Sequence, residues 1–424
     1  MLMAMKQIGR TVVVIAALFG LNALPSYGAT VAVGTCVTAS AHYTTIQAAV
    51  SAAAAGSTIK ICPGSYPEQV NINKNLTLTG VASGTTDSPA LVIPSGGFAA
   101  NTASLTSGDL IAAQILVESP ATVNISSITV DGSGNTSSSC SDPRLIGIYY
   151  QNASGTINNV AVRNQSQTAT AIGCAASAGL GIFVQSDSPG TATVTVENST
   201  VRGYQKNGIT ADETGTTVTI NGNSVVGLGP VDAAQNGIQV AYGATGKVQN
   251  NVVTDDIFSG DPSLGTASGI LIYDSGNMTI SGNTIATTQN GIPIVTDGTL
   301  PANGNTISNN EVVNTELGDG IDLCSNSNTV SGNHILRSGE AGIHLDSTCT
   351  GTGNSNNLSK NIVNEACAGI LLGSGTGNTI ATSNSFENVV NTTLAGDTCT
   401  PTIVSNAAAN RVASLTHGLS PVRP

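Results

Sequence analysis

Between Asn290 and Leu372 the chain repeats one five-residue unit four times: Asn290-Gly291-Ile292-Pro293-Ile294, Asp319-Gly320-Ile321-Asp322-Leu323, Ala341-Gly342-Ile343-His344-Leu345 and Ala368-Gly369-Ile370-Leu371-Leu372. Within each unit the apolar residues lie two apart, the period of a strand with one buried face. A second unit alternates with it, an aliphatic residue followed by a small or polar stretch containing Asn, as in Ile307-Ser308-Asn309-Asn310-Glu311-Val312 and Val330-Ser331-Gly332-Asn333-His334-Ile335. A short repeat of this kind buries its apolar face only by stacking on its neighbours, so the chain reads as a β-solenoid. Gly-Ile recurs with Ile at 148, 182, 209, 238, 270, 292, 321, 343 and 370, and the shortest interval is 22 residues. The excess elsewhere falls mostly into loops just before the Gly-Ile strand, at 132–145, 164–178 and 255–268. Roughly eleven coils at about 4.8 Å each make a rod about 50 Å long.

The repeated Asn at 223, 283, 310, 333 and 361 is read as structural. Asn tolerates a left-handed turn, and stacked amides hydrogen-bond from coil to coil. A helix is expected over 44–55, with Thr44 and Gln47 at capping-box spacing and Gly56 closing it, as a cover for the first core layer.

The first 28 residues have the form of a secretory signal, with Lys6 and Arg10 preceding an apolar run from Thr11 to Leu24. The run is short for a membrane span and no second one follows. The remainder, 29–424, is expected to be one β-helix domain, with an N-terminal cap over 29–57, coils over 58–398 and a cap or tail over 399–424. A secreted, periplasmic or cell-surface monomer follows from this reading. Thirteen basic residues against 25 acidic ones give a net charge of −12, which opposes nucleic acid or anionic lipid as a partner. Eight cysteines in an exported chain point to four disulfides, and neighbours in sequence are expected to pair: Cys36 with Cys62, Cys140 with Cys174, Cys324 with Cys349 and Cys367 with Cys399. No Cys-x-x-Cys spacing supports a zinc site.

With Ile inward, the next residue and the one two further on face outward. The outward positions are Tyr149 and Gln151, Phe183 and Gln185, Asp212, Gln239, Tyr273, then Asp322, His344 and Asp346. Aromatic platforms among amides and carboxylates suit sugar rings, so the first seven are expected to bind a polysaccharide or cell-surface glycan lying along the rod. Asp319, Asp322, Glu340, His344 and Asp346 form the candidate catalytic cluster. Asp322 and His344 are expected side by side on adjacent coils, with Asp346 about 7 Å from Asp322, the carboxylate spacing of an inverting glycosidase. A polar surface cluster without chemistry is the alternative reading of the same residues.

The succession of helix 44–55, strand Thr58-Ile59-Lys60-Ile61-Cys62, turn Pro63-Gly64 and the strands that follow resembles the start of right-handed parallel β-helix proteins of the pectin lyase-like superfamily, pectin methylesterases included. The resemblance implies an all-β right-handed parallel β-helix. Asp319-Gly320-Ile321-Asp322 is similar to the Asn-Thr-Asp-Gly-Ile-Asp strand of polygalacturonase-like hydrolases, and Gly339-Glu340 falls where that family has Gly-Asp-Asp. Ala341 and Ala368, however, stand where the family's second Asp and its His belong. Asp256-Ile257-Phe258-Ser259-Gly260 only echoes the Asp-Phe-Ile-Phe-Gly motif of pectin methylesterases. The resemblance to pectate lyases implies Ca²⁺ held by Asp319, Asp322 and Asp346; otherwise no cofactor is expected. The groove-side Arg144 lies five coils or more away from these acids. Two functions stay open: a lyase or hydrolase that binds and cleaves an extracellular acidic polysaccharide, and a non-catalytic, adhesin-like rod.

Overall fold

The computed structural model describes residues 28–81, 90–93, 99–167, 179–260, 265–315 and 318–399. The segments 1–27 and 400–424, which hold the expected signal and nearly all of the expected tail, lie outside the described residues, as does Cys174.

One coil shows the plan. Thr279–Ser281, Thr284–Ala286 and Ile292–Val295 are three short strands, and Thr306–Ser308 then begins the next coil in register on Thr279–Ser281. Each strand pairs in parallel with its equivalent one coil later, so three ladders run along the molecule. The Gly-Ile ladder runs from Val70–Ile72 to the end of Ser385–Ala395, twelve strands among the described residues. The antiparallel pairing described is a local one, Thr102–Ala103 against Leu110–Glu118. Its consequence appears at the functional face.

Between the ladders lies a single column of aliphatic side chains. Ile148, Ile182, Ile209, Ile238 and Ile270 stack in register, as do Ile292, Ile321, Ile343 and Ile370, all at 1% exposure or less. Burying each contributes about 1.5–3 kcal/mol. The glycine before each Ile is required by space and not by backbone angle. A Cβ on Gly320 would lie 2.4 Å from Ile335 Cγ2 and 2.7 Å from the Gly342 carbonyl oxygen one coil on.

The Asn reading holds, with one refinement. Asn283 Nδ2 donates to Asn310 Oδ1 (2.9 Å) and to the Val248 carbonyl (2.9 Å), while Asn310 Oδ1 also accepts the Asn283 N–H at 3.0 Å. The same pattern links Asn223, Asn251, Asn283, Asn310, Asn333, Asn361 and Asn384. The left-handed residue is the one before the stacked Asn from Asn223 to Asn361, as at Asn250, Gly282, Asn309 and Gly332. Turn geometry and amide stacking are therefore divided between two neighbouring positions. A second ladder through Asn305, Asn328, Asn356 and Asn378 serves another corner.

The helix is shorter than its expected span, Ile46–Ala52, and its cap is Thr45, whose hydroxyl accepts the Ala48 N–H at 3.1 Å. Gln47 is drawn out of the expected capping box by Asn71, whose N–H it accepts at 2.7 Å. The Glu68 carboxylate takes the free N–H groups of Ile46 and Gln47 at 2.7 and 2.8 Å instead. Ile46, Ala49 and Val50 join the main core. Cys36–Cys62, Cys324–Cys349 and Cys367–Cys399 are paired as neighbours. No helix among the described residues is long and apolar enough to cross a membrane.

Gly320→Ala is expected to lower stability by about 1–3 kcal/mol through overpacking, read as a reduced denaturant midpoint. Unchanged stability would mean that the corner relaxes around an added methyl.

Candidate functional site

Alternation along the Gly-Ile strands turns one row of side chains outward, but the chain does not leave the row open throughout. Residues 99–109 fold across its N-terminal end. Gln151 Nε2 donates to the Ala103 carbonyl at 2.7 Å, and Gln151 Oε1 accepts the Thr102 hydroxyl at 3.0 Å. Gln185 Oε1 accepts the Leu105 N–H at 3.0 Å and the Tyr149 hydroxyl at 2.6 Å. Tyr149 stacks on Phe183 with ring centroids 4.8 Å apart and is wholly buried. This corrects the expectation for Tyr149 and Gln151: neither forms open floor, because the flap bonds Gln151 and Gln185 and Tyr149 is buried beneath it against Gln185 and Phe183.

Beyond the flap edge the row opens into a pocket of about 720 Å³. Five of the expected binding residues line it: Phe183, Gln185, Asp212, Gln239 and Tyr273. Asn207 and Asn236 each donate to Gln239 Oε1, at 3.0 and 3.2 Å, which turns the Gln239 amide N–H toward Asp212 Oδ1 at 3.3 Å. Burial nevertheless pushes the Asp212 carboxyl up to about 7, helped by the neighbouring Glu213 charge and opposed by Gln239. Tyr273 meets Tyr242 edge to face at 5.5 Å and donates to Asp297 Oδ2 at 3.2 Å. Burial, then Asp297, push the Tyr273 hydroxyl up to about 12. Two cations share the wall: Arg144, paired with Asp109, and Lys206, which burial pushes down to about 8 while its ammonium donates to the Ala234 carbonyl.

Four coils further on, the expected catalytic residues do come together. Asp322 and His344 are register partners. Asp319 Oδ1 accepts the Ala341 N–H at 2.9 Å and Oδ2 faces His344 Nδ1 at 3.0 Å. Burial, then the Asp319 charge, raises the Asp322 carboxyl well above the usual carboxylate range. Burial alone would depress His344, but the bond to Asp319 and the surrounding carboxylates push it up to about 9. Burial and the Asp319 charge also raise Glu340, whose Oε1 accepts the Cys399 N–H at 3.0 Å.

The C-terminal segment shields this cluster. Cys367–Cys399 draws the chain over Ala341, Ala368 and Leu371, and Asp397 Oδ1 accepts the Ser347 N–H and hydroxyl at 3.2 and 2.8 Å. Asp319 and His344 are left only 5% and 4% exposed. Two groups here could hold a cation: Asp319, Asp322 and His344, and His344, Asp346 and Asp397. Neither is the all-carboxylate set of Asp319, Asp322 and Asp346 that calcium chemistry implies, since an imidazole stands in both.

Sequence reasoning passed over Lys206, Asn207, Asn236, Tyr242 and Asp397. Asn207 and Asn236 did carry a signal, since each precedes Gly-Ile as Asn290 does. Nothing in the linear order marks Tyr242, just past its strand, or Asp397, which a disulfide brings back across the face.

Comparison with known proteins accords with this architecture. The family model described as right handed beta helix region matches residues 180–358. No curated protein sequence matches the chain. Among solved structures, the GH136 lacto-N-biosidase from Eubacterium ramulus is similar at a TM-score of 0.59 and 12% identity, the match covering 85% of this chain and 67% of that one. The Dettilon tailspike protein is similar at a TM-score of 0.54 and 15% identity, covering 78% and 62%. The chain thus spans about two thirds or less of the length of these structures.

Asp212 has a folded-state pKa above its unfolded value of about 3.9. Its contribution to stability is therefore fully present below about pH 4 and is lost as pH rises through about 7. Asp212→Asn is expected to flatten the fall in Tm between pH 4 and pH 8, measured by thermal unfolding. Equal slopes in the variant and the parent would show that the carboxyl is not held in a desolvated setting.

Proposed function

We propose that this right-handed β-helix of the pectin lyase-like superfamily is an exported glycan-binding protein that holds a saccharide in the pocket beside Asp212 and cleaves it there. The observation that carries the reading is the pocket itself. It combines aromatic surface from Phe183, Tyr242 and Tyr273 with a hydrogen-bonded amide network ending on a protonatable carboxyl. Sugar rings offer apolar faces to the first and hydroxyl edges to the second. Lys206 on the wall, with Arg144 nearby in its pair with Asp109, offers a cationic contact for an anionic sugar such as a uronate. The disulfides among the described residues fit an oxidising, extracytoplasmic compartment. A lacto-N-biosidase on the same fold supports a saccharide as the first ligand class to try.

Asp212 is the proposed general acid. A carboxyl raised to about 7 is about half protonated at neutral pH and can pass its proton to a departing glycosidic oxygen while water adds to the anomeric carbon and gives a proton back. The shielded cluster around Asp319 and Asp322 is less suited to that task, because a polymer reaches His344 only by displacing the segment that ends at Cys399. Calcium belongs to the cleavage test as an added ion rather than to the proposed machinery.

The test is a panel of uronate and neutral polysaccharides incubated with the protein, with and without Ca²⁺, read as reducing ends and as ultraviolet absorbance of unsaturated products. The expected outcome is release from at least one uronate polymer, reduced about 10²–10⁴-fold in Asp212→Asn with binding retained. Cleavage that survives in Asp212→Asn and disappears in Asp322→Asn would move the chemistry to the Asp319 cluster. Absence of both binding and products across the panel would leave the adhesin-like rod.

A further inference from the structure

The shielded cluster holds a buried nitrogen with nothing to bond. His344 is 4% exposed, its Nδ1 faces Asp319 Oδ2 at 3.0 Å, and its Nε2 is buried without a hydrogen-bond partner. Leaving such a group unsatisfied costs about 1–3 kcal/mol. The nearest charged atom is Asp397 Oδ1 at 4.0 Å. That is too long for a hydrogen bond, and a tetrahedral ion with bonds of about 2.0–2.1 Å would draw the two atoms to about 3.4 Å apart, a closure of roughly half an ångström. Asp346 closes the set, its carboxylate lying with His344 and Asp397 so that one ligand atom from each is within 4.8 Å of the others. Asp322 Oδ1, on the neighbouring strand, is a second buried atom without a partner.

The orientation of His344 is the informative part. Asp319 is pinned by the Ala341 N–H and holds the Nδ1 side of the ring, which turns Nε2 toward Asp397. A carboxylate bound to one ring nitrogen while the other faces further ligands is the arrangement that metal-binding histidines use to set tautomer and ring angle. We propose that His344 Nε2, Asp346 and Asp397 bind one divalent transition-metal cation, Zn²⁺ by ligand type, with Asp319 as the positioning residue for His344. One imidazole among few carboxylates suits Zn²⁺, whereas Ca²⁺ takes six to eight oxygens. The metal takes the place of the second imidazole proton, as any histidine ligand requires. Asp397 lies two residues before Cys399, so the ion is a second fastening, beside Cys367–Cys399, for the segment that covers the last coils.

The site's His344 and Asp346 stand five coils from Asp212, so its test is separate from that of the proposed function. The intact chain, stripped with a chelator, is dialysed against Zn²⁺, Mn²⁺ or Ca²⁺ and its metal content measured. One Zn²⁺ per chain is expected, with a rise in Tm on rebinding and no comparable retention of Ca²⁺. Asp397→Asn, at a half-buried position on the covering segment, is expected to weaken Zn²⁺ binding at least tenfold while the stripped protein keeps its parental Tm. Asp319→Asn is expected to weaken it about 10–100-fold by releasing the ring. Failure to retain stoichiometric Zn²⁺, or equal retention in the parent, Asp397→Asn and His344→Gln, would overturn the proposal.

Discussion

The stacked asparagine amides are the interaction on which the rest of this solenoid depends. A tight turn between two ladders has peptide groups that neither ladder reaches, and the interior offers no solvent. Asn283 resolves this by donating to the Val248 carbonyl and to Asn310 while accepting from Asn251. Each turn is thus satisfied only when the coils before and after it are present. Stability accrues between neighbours, as expected of a one-dimensional stack, and each coil is held to the same corner geometry.

That constraint also directs where the chain can vary. The Asn corner and the Gly-Ile corner tolerate no inserted residues, the first for its hydrogen bonds and the second because a Cβ on glycines such as Gly320 would strike the next coil. Extra residues therefore collect on either side of the Gly-Ile strand, before it at 132–143, 164–179 and 259–267 and after it at 296–305 and 346–356. Loops anchored on a rigid ladder are where binding surfaces commonly form. Here the flap at 99–109 and the segment ending at Cys399 cover the two ends of the face and leave its middle open.

The two covered ends handle charge differently. Beside the flap, Asp212 faces amides and a like-charged neighbour, so burial raises its proton affinity with little opposition. Under the C-terminal segment, His344 supplies a countercharge and Asp319 is held by a backbone N–H and the imidazole together. The first arrangement leaves a carboxyl available to a ligand in the pocket. The second is closed upon itself apart from the Nε2 side of the ring.

By itself the sequence determined the coil. Aliphatic residues two apart, Gly where no Cβ fits and Asn where an amide must stack are local demands repeated in every turn, and local demands are visible in linear order. The register that places Asp322 beside His344 follows from them, as does the pairing of neighbouring cysteines seen at Cys36–Cys62, Cys324–Cys349 and Cys367–Cys399. Only the tertiary structure decided which part of the outward row meets solvent. The covering contacts, from Ala103 to Gln151 and from Asp397 to Ser347, join residues about fifty apart through no repeated pattern. Burial, and with it the protonation of Asp212 and the isolation of His344 Nε2, is a property of what the chain folds back over a residue, which its place in a repeat does not encode.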